Sequence, residues 1–200
     1  MNRTTIGGGL AAAVVAAGLL ASAPVGAVTT TVVASDDKVF LPRTVSAAVG
    51  GSVHWNANGI DEHSATADDL VFDSGAAAPN LNFTRKFSAG TYPYHCRKHG
   101  PDGMRGTVRV APQVVSAPAG LAFTVRWAAA GTNTGNSFDV KYRVGSGAWK
   151  TWRNNTSAKS MVFGRGGPVA VARGKSYSFQ VRSGTGARES GFSPVKTFRG

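Results

Sequence analysis

Apolar and polar residues alternate in short runs along this chain, and turn residues separate the runs, a pattern that predicts strands rather than helices. Val28 to Ala34 is rich in β-branched residues and ends at Ser35-Asp36-Asp37. Val45, Ala47 and Val49 alternate with polar or small neighbours up to a turn at Gly50-Gly51. In Ser52 to Asn56, Val53 and Trp55 share one strand face and His54 takes the other. Asn58-Gly59 is a further turn signal, after which Leu81, Phe83, Arg85 and Phe87 resume the period of two. Tyr92, Tyr94 and Cys96 fall on a common face, and Val108 and Val110 close this first series. A second series follows, with Leu121, Phe123, Val125 and Trp127 on one face. Val140, Tyr142 and Val144 form another, with Lys141 and Arg143 outward, and Tyr177, Phe179 and Val181 a third. Helical periodicity is absent, so the expected class is all-β, built as β-sandwiches.

The first residues do not fit this pattern. Arg3 precedes an apolar run from Ile6 to Leu20, followed by the small-residue contexts Ala21-Ser22-Ala23 and Val25-Gly26-Ala27. Residues 1–27 thus read as a signal peptide, cut after Ala27 because a cut after Ala23 would leave Pro24 at the new N-terminus. The run is short for a membrane span, and no later segment could cross one, so the mature protein is expected to be secreted, the alternative being an uncleaved anchor. Ala111-Pro112-Gln113 reads as a short hinge between a domain over 28–111 and another over 112–200. Charge divides the two. The first has eight Lys or Arg against eight Asp or Glu, and the second has thirteen against two, a net +11.

The chemistry gathers in Tyr92-Pro93-Tyr94-His95-Cys96-Arg97-Lys98-His99-Gly100-Pro101-Asp102-Gly103-Met104. Cys96 is the only cysteine, so it has no internal disulfide partner, and in an oxidising compartment an unpaired thiol calls for an occupant. A thiolate, an imidazole three residues on and a thioether five beyond that are soft ligands that select copper. Two histidines, a cysteine and a long axial methionine make the blue-copper arrangement. Zinc also accepts cysteine and histidine, but a thioether is a poor ligand for it. The second histidine comes from elsewhere: His54, His63 and His95 compete. Strand parity turns His54 away from Val53 and Trp55 and His95 away from Cys96, which leaves His63, in Asp61-Glu62-His63-Ser64, as the best candidate. Asp61 and Glu62 would lower the net charge of such a site or stand in solvent. No arrangement of Ser, His and Asp, no paired carboxylates and no phosphate loop supports catalysis, so the chain is not expected to be an enzyme.

The stretch Tyr94-x-Cys96-x-x-His99-x-x-x-x-Met104, with His63-Ser64-x-Thr66 upstream, resembles the cupredoxins of the plastocyanin and pseudoazurin kind. That resemblance implies a Greek-key β-sandwich holding one mononuclear type 1 copper ion through His63, Cys96, His99 and Met104. It implies one-electron transfer with a redox partner that the sequence does not identify, with His99 as the electron's port at the surface; His95, adjacent to the thiolate and expected to be exposed, offers a second exit through the Cys96 backbone. The alternatives are an envelope copper store and an adhesion module without a redox role. The second half resembles a fibronectin type III domain, an immunoglobulin-like β-sandwich. The points of match are Trp127, Asp139-Val140-Lys141-Tyr142-Arg143-Val144, Gly174 to Arg182 and Ser190-Gly191-Phe192-Ser193. Its charge exceeds the roughly 2–8 that solubility asks of a small domain. It is therefore expected to meet an anionic cell-envelope polymer, with nucleic acid not expected there.

Overall fold

A computed structural model describes residues 28–116, 122–132, 134–164 and 169–200. The leader expected over 1–27, and Leu121 of the second series, lie outside the described residues. Among the described residues all regular structure is strand, and no helix is long and apolar enough to cross a membrane.

The first eight strands are β1 (Thr29–Ser35), β2 (Val39–Leu41), β3 (Thr44–Ser46), β4 (Ser52–Asn58), β5 (Thr66–Ala67), β6 (Asn82–Lys86), β7 (Gly90–His95) and β8 (Arg105–Val110). One sheet runs β2-β1-β4-β6 and the other β3-β8-β7-β5, a Greek-key sandwich in which β1 with β4 and β3 with β8 pair in parallel. Alternation decides which side chains enter it. Val32, Ala34, Val53 and Trp55 from one sheet, and Tyr92, Tyr94, Val108 and Val110 from the other, are wholly buried between the layers. Trp55 is the centre of this packing, with the rings of Phe72, Phe83, Phe87 and Tyr94 at centroid distances of 5.3 to 6.1 Å. Such contacts add to the burial of large apolar area that drives folding.

The remaining strands are β9 (Gln113–Ser116), β10 (Phe123–Arg126), β11 (Ser137–Val144), β12 (Lys150–Thr156), β13 (Ser160–Phe163), β14 (Ser176–Thr185), β15 (Arg188–Glu189) and β16 (Lys196–Arg199). They form a sheet β13-β10-β9 and a sheet β12-β11-β14-β15, in which β16 also pairs with β14. Phe123, Val125, Trp127, Val140, Tyr142, Tyr177, Phe179 and Val181 meet in a second core. Val144, expected on the inner face, is 37% exposed instead. It ends β11 just before Gly145, whose φ of 56° turns the chain out of the sheet.

The expected hinge narrows to Ala111 and Pro112, because Gln113 already belongs to β9 and Pro112 is buried. The two cores are bonded across this corner. Ala89 N–H donates to Trp127 C=O at 2.7 Å, and Thr91 exchanges both backbone hydrogen bonds with Gly191 at 2.9 Å. The buried Tyr92 hydroxyl donates to Ser88 C=O at 2.9 Å and lies 2.6 Å from Ser183 Oγ. These contacts lie at the start of β7 and in the two residues before it. Cys96 follows the end of the same strand, roughly 15–20 Å away at the usual rise per residue. The metal-ligand candidates therefore sit at the opposite end of the first sandwich from the second core.

Candidate metal centre

Cys96 and Met104 flank the loop that joins β7 to β8. Both are fully buried, because each continues the inward face of its strand. Their backbones close the loop: Cys96 N–H donates to Met104 C=O at 3.1 Å. Within it, Met104 N–H and Asp102 N–H donate to His99 C=O at 3.0 and 3.1 Å, and Gly100 N–H donates to Cys96 C=O at 2.6 Å. Gly100 is required by close approach, since a Cβ there would stand 2.7 Å from Cys96 O. A loop so bonded presents its side chains in fixed positions.

His63 arrives from the link between β4 and β5, held by paired backbone hydrogen bonds with Ala78, both 2.9 Å. The ligand atoms of His63, Cys96 and His99 lie within 4.8 Å of one another. Cys96 Sγ is 3.8 Å from His99 Nδ1, and the two imidazole rings are 5.2 Å apart at 61°. Exposure is 0% for His63, Cys96 and Met104 and 5% for His99, so His99 alone among the four keeps contact with the surface.

Ion pairs tie this loop to its surroundings. Arg97 pairs with Asp73, Lys98 with Glu62 at 3.0 Å, and Asp102 with Lys38 at 3.3 Å. All three are half-exposed, so each adds little stability alone, but together they fix the loop at several points.

The residues pass a chemical test for a metal. Both ring nitrogens of His63 are buried and have no hydrogen-bond partner. Orphaned polar atoms in a core are costly unless something else satisfies them. Burial, reinforced by the neighbouring His99, pushes the His63 imidazole below its ordinary pKa. That shift favours the neutral form, whose lone pair a metal needs. Two imidazoles and a cysteine sulfur match the donor set that a blue-copper centre would use, and the thioether of Met104 belongs to the same loop as Cys96 and His99.

The competing histidines are engaged elsewhere. His54 Nε2 lies 2.9 Å from Asn82 Oδ1 on the outer face of its strand. His95 Nδ1 lies 2.6 Å from Asp68 Oδ1, and its side chain is only 27% exposed, so it is clasped rather than free on the surface. Glu62 is spent on Lys98, whereas Asp61 acts on His63 by its charge.

Two participants are not evident from spacing. Ser64 N–H donates to Cys96 Sγ at 3.4 Å while its hydroxyl accepts from Arg97 N–H at 2.9 Å, so one residue clamps the sulfur and the backbone after it. Its place in the His63-Ser64 step was the available signal. Asp36, whose Oδ1 is 3.9 Å from His63 Nε2, comes from the β1–β2 turn, where the sequence reads only as turn chemistry.

No family model matches the chain. It is similar to plastocyanin of Scenedesmus fuscus, with 34% identity over 84 residues, which covers 36% of this chain and 86% of that protein. Chloroplastic plastocyanin of Tetradesmus obliquus is 37% identical over 84 residues, and there the match spans 58% of the relative's length. Among solved structures, oxidised plastocyanin of Dryopteris crassirhizoma aligns with 22% identity and a TM-score of 0.37, covering 40% of this chain and 99% of that one. Pseudoazurin of Methylobacterium extorquens aligns with 22% identity and a TM-score of 0.33, covering 41% of this chain and 74% of that one.

Proposed function

This chain belongs to the plastocyanin family, and from that premise we propose that it is a secreted blue copper protein that transfers one electron at a time. The observation that carries the reading is the buried cluster of His63, Cys96 and His99, with both nitrogens of His63 unpaired. A bound copper ion would supply the redox chemistry by alternating between Cu(I) and Cu(II).

What the chain's own residues contribute follows from their surroundings. Cys96 offers a thiolate that Ser64 N–H stabilises and aims. His63 and His99 would offer lone pairs from rings held by packing, and Met104 would offer a thioether. Buried ligands on a hydrogen-bonded loop change position little when the charge of the site changes, which keeps reorganisation small. His99, with 5% exposure beside the exposed Pro101, is the port where a partner would meet the site.

A copper store would share this ligand set, so carrier and store are told apart by exchange. Copper-loaded protein mixed with a small inorganic reductant and then an oxidant should cycle completely and repeatedly while keeping its metal. Release of the ion on reduction would favour storage and refute the carrier.

The proposal extends to the second half, taken as a fibronectin type III-like domain over 112–200 that keeps the copper domain over 28–111 at the cell envelope. Its two carboxylates, Asp139 and Glu189, both bind one cation, Arg182, at 2.6 Å. Lys141 and Arg143 lie instead over the rings of Phe192 and Trp149, at 4.3 and 4.8 Å, and have no ion pair among the described residues. Lys150, Arg173 and Lys175 are exposed. A folded surface with this unneutralised charge attracts an acidic polymer by a force that salt screens. Full-length protein should be retained on an acidic polysaccharide resin at low salt and released at high salt, and Lys141→Glu with Arg143→Glu should weaken retention. Retention indifferent to salt and to both substitutions would refute this part.

A further inference from the structure

We propose that Asp36 is a positioning residue of the metal centre, its carboxylate receiving the outer N–H of His63 and fixing the orientation of that ligand. The inference rests on the copper reading above. A neutral imidazole carries one N–H, and a nitrogen that gives its lone pair to a metal cannot bear it. His63 Nε2 lies 3.9 Å from Asp36 Oδ1, and that neighbour assigns the metal-facing role to the other ring nitrogen, Nδ1. Ligation through Nδ1 therefore places the proton on Nε2, inside the protein, where it needs an acceptor.

Asp36 is built for that task. Its side chain is 42% exposed, yet it is anchored: Oδ2 accepts from Ile60 N–H at 3.1 Å and Oδ1 accepts from Asp61 N–H at 3.0 Å. Gly59 makes room for it. Its φ of 133° is a glycine conformation, and a Cβ there would run into the Asp36 carboxylate. The carboxylate thus joins the β1–β2 turn to the segment that delivers His63. A separation of 3.9 Å is longer than a hydrogen bond, and a shift of about 1 Å by ring or carboxylate closes it.

The other charged groups facing His63 are Asp61, which also favours a positive imidazole, and His99 and Lys98, which oppose one. Of these acids Asp36 has a carboxylate oxygen 3.9 Å from Nε2. A negative group behind the imidazole strengthens it as a donor, favours Cu(II) over Cu(I) and so lowers the potential.

The test compares the parent with Asp36→Asn, Asp36→Ala and Asp61→Asn, all in the full chain loaded with copper. In the diamagnetic Cu(I) state, the His63 Nε2–H resonance should be protected from solvent exchange in the parent and in Asp61→Asn. It should exchange rapidly in Asp36→Ala. Asp36→Asn keeps an acceptor and loses the charge, so the proton stays protected. Its preference for Cu(II) over Cu(I) falls about three- to tenfold, a rise of about 30–60 mV for a one-electron couple. Because Asp36→Asn retains a hydrogen-bonding group for the 59–61 segment, it reports even where Asp36→Ala folds poorly. Parent-like exchange and potential in the Asp36 variants overturn the inference, as does an Asp61→Asn variant that loses the proton signal. A parent that takes up no copper overturns the copper reading and this inference with it, whereas a blue parent with inert Asp36 variants overturns this inference alone.

Discussion

Replacing Tyr92 with Phe removes one oxygen from the junction between the two cores and leaves the ring's packing in place. The hydroxyl is buried and donates to Ser88 C=O at 2.9 Å. Ser183 Oγ lies 2.6 Å from it, and Ser88 Oγ and Thr134 Oγ1 are at 3.1 and 3.4 Å. Two short hydrogen bonds are lost, each worth about 1 kcal/mol net. The full penalty for stranded groups is not reached, because Ser88 Oγ keeps Thr134 Oγ1 at 2.9 Å and Ser183 Oγ keeps Ser190 Oγ at 3.5 Å. The expected cost is therefore about 2 kcal/mol, or roughly 4–8 °C in Tm for a protein of this size. Urea denaturation of copper-free protein measures it without linkage to the metal. Ser183→Ala should cost about 1 kcal/mol alone, and the double variant should fall short of the sum by at least about 0.5 kcal/mol. A Tyr92→Phe cost below about 0.5 kcal/mol, or strict additivity with Ser183→Ala, would refute the view that these hydroxyls weld the cores together.

Met104→Leu should keep the intense colour and raise the potential, since loss of a thioether donor disfavours Cu(II); cyclic voltammetry reads it, and a lowered potential would count against ligation by Met104. Pro101→Glu places a charge beside His99 at the exposed loop tip, so stopped-flow exchange with a small anionic redox agent should slow while the absorption spectrum is unchanged. Burial pushes Tyr94 up to about 12 and raises Tyr92 as well, so the folded protein holds both phenolic protons where the unfolded chain releases them. For Tyr94 the stabilising contribution is complete below about pH 10 and is lost as pH climbs toward 12, at up to about 1.4 kcal/mol per pH unit. Tyr94→Phe should flatten the urea midpoint over that range, and an unaltered slope would contradict the assignment.

Much of this arrangement could be read from the chain because a strand's side chains obey a period of two. Val53 and Trp55 lie inward and His54 outward, and Tyr92, Tyr94 and Cys96 share the core face, as alternation requires. Cys96 and His99 come together because they lie on one loop, and His63 joins them from the β4–β5 link. What escaped depends on contacts distant in sequence. Asp36 reaches His63 only because the β1–β2 turn stands beside the 59–61 segment, and no local pattern encodes that meeting. Tyr92 read as an ordinary core residue, whereas its hydroxyl is committed to Ser183 across the junction. Val144 failed the alternation rule because strand ends turn outward.

In the proposed copper site of His63, Cys96 and His99, the thiolate would dominate the electronic character. Titration of the mature protein with Cu(II), followed by visible absorption, tests it most directly. Saturation is expected at about one copper per chain with an intense blue thiolate-to-copper band, which should disappear in Cys96→Ser, whose hydroxyl cannot supply that charge transfer. A parent protein that binds copper without the intense band, or a Cys96→Ser variant that retains it, would contradict the account.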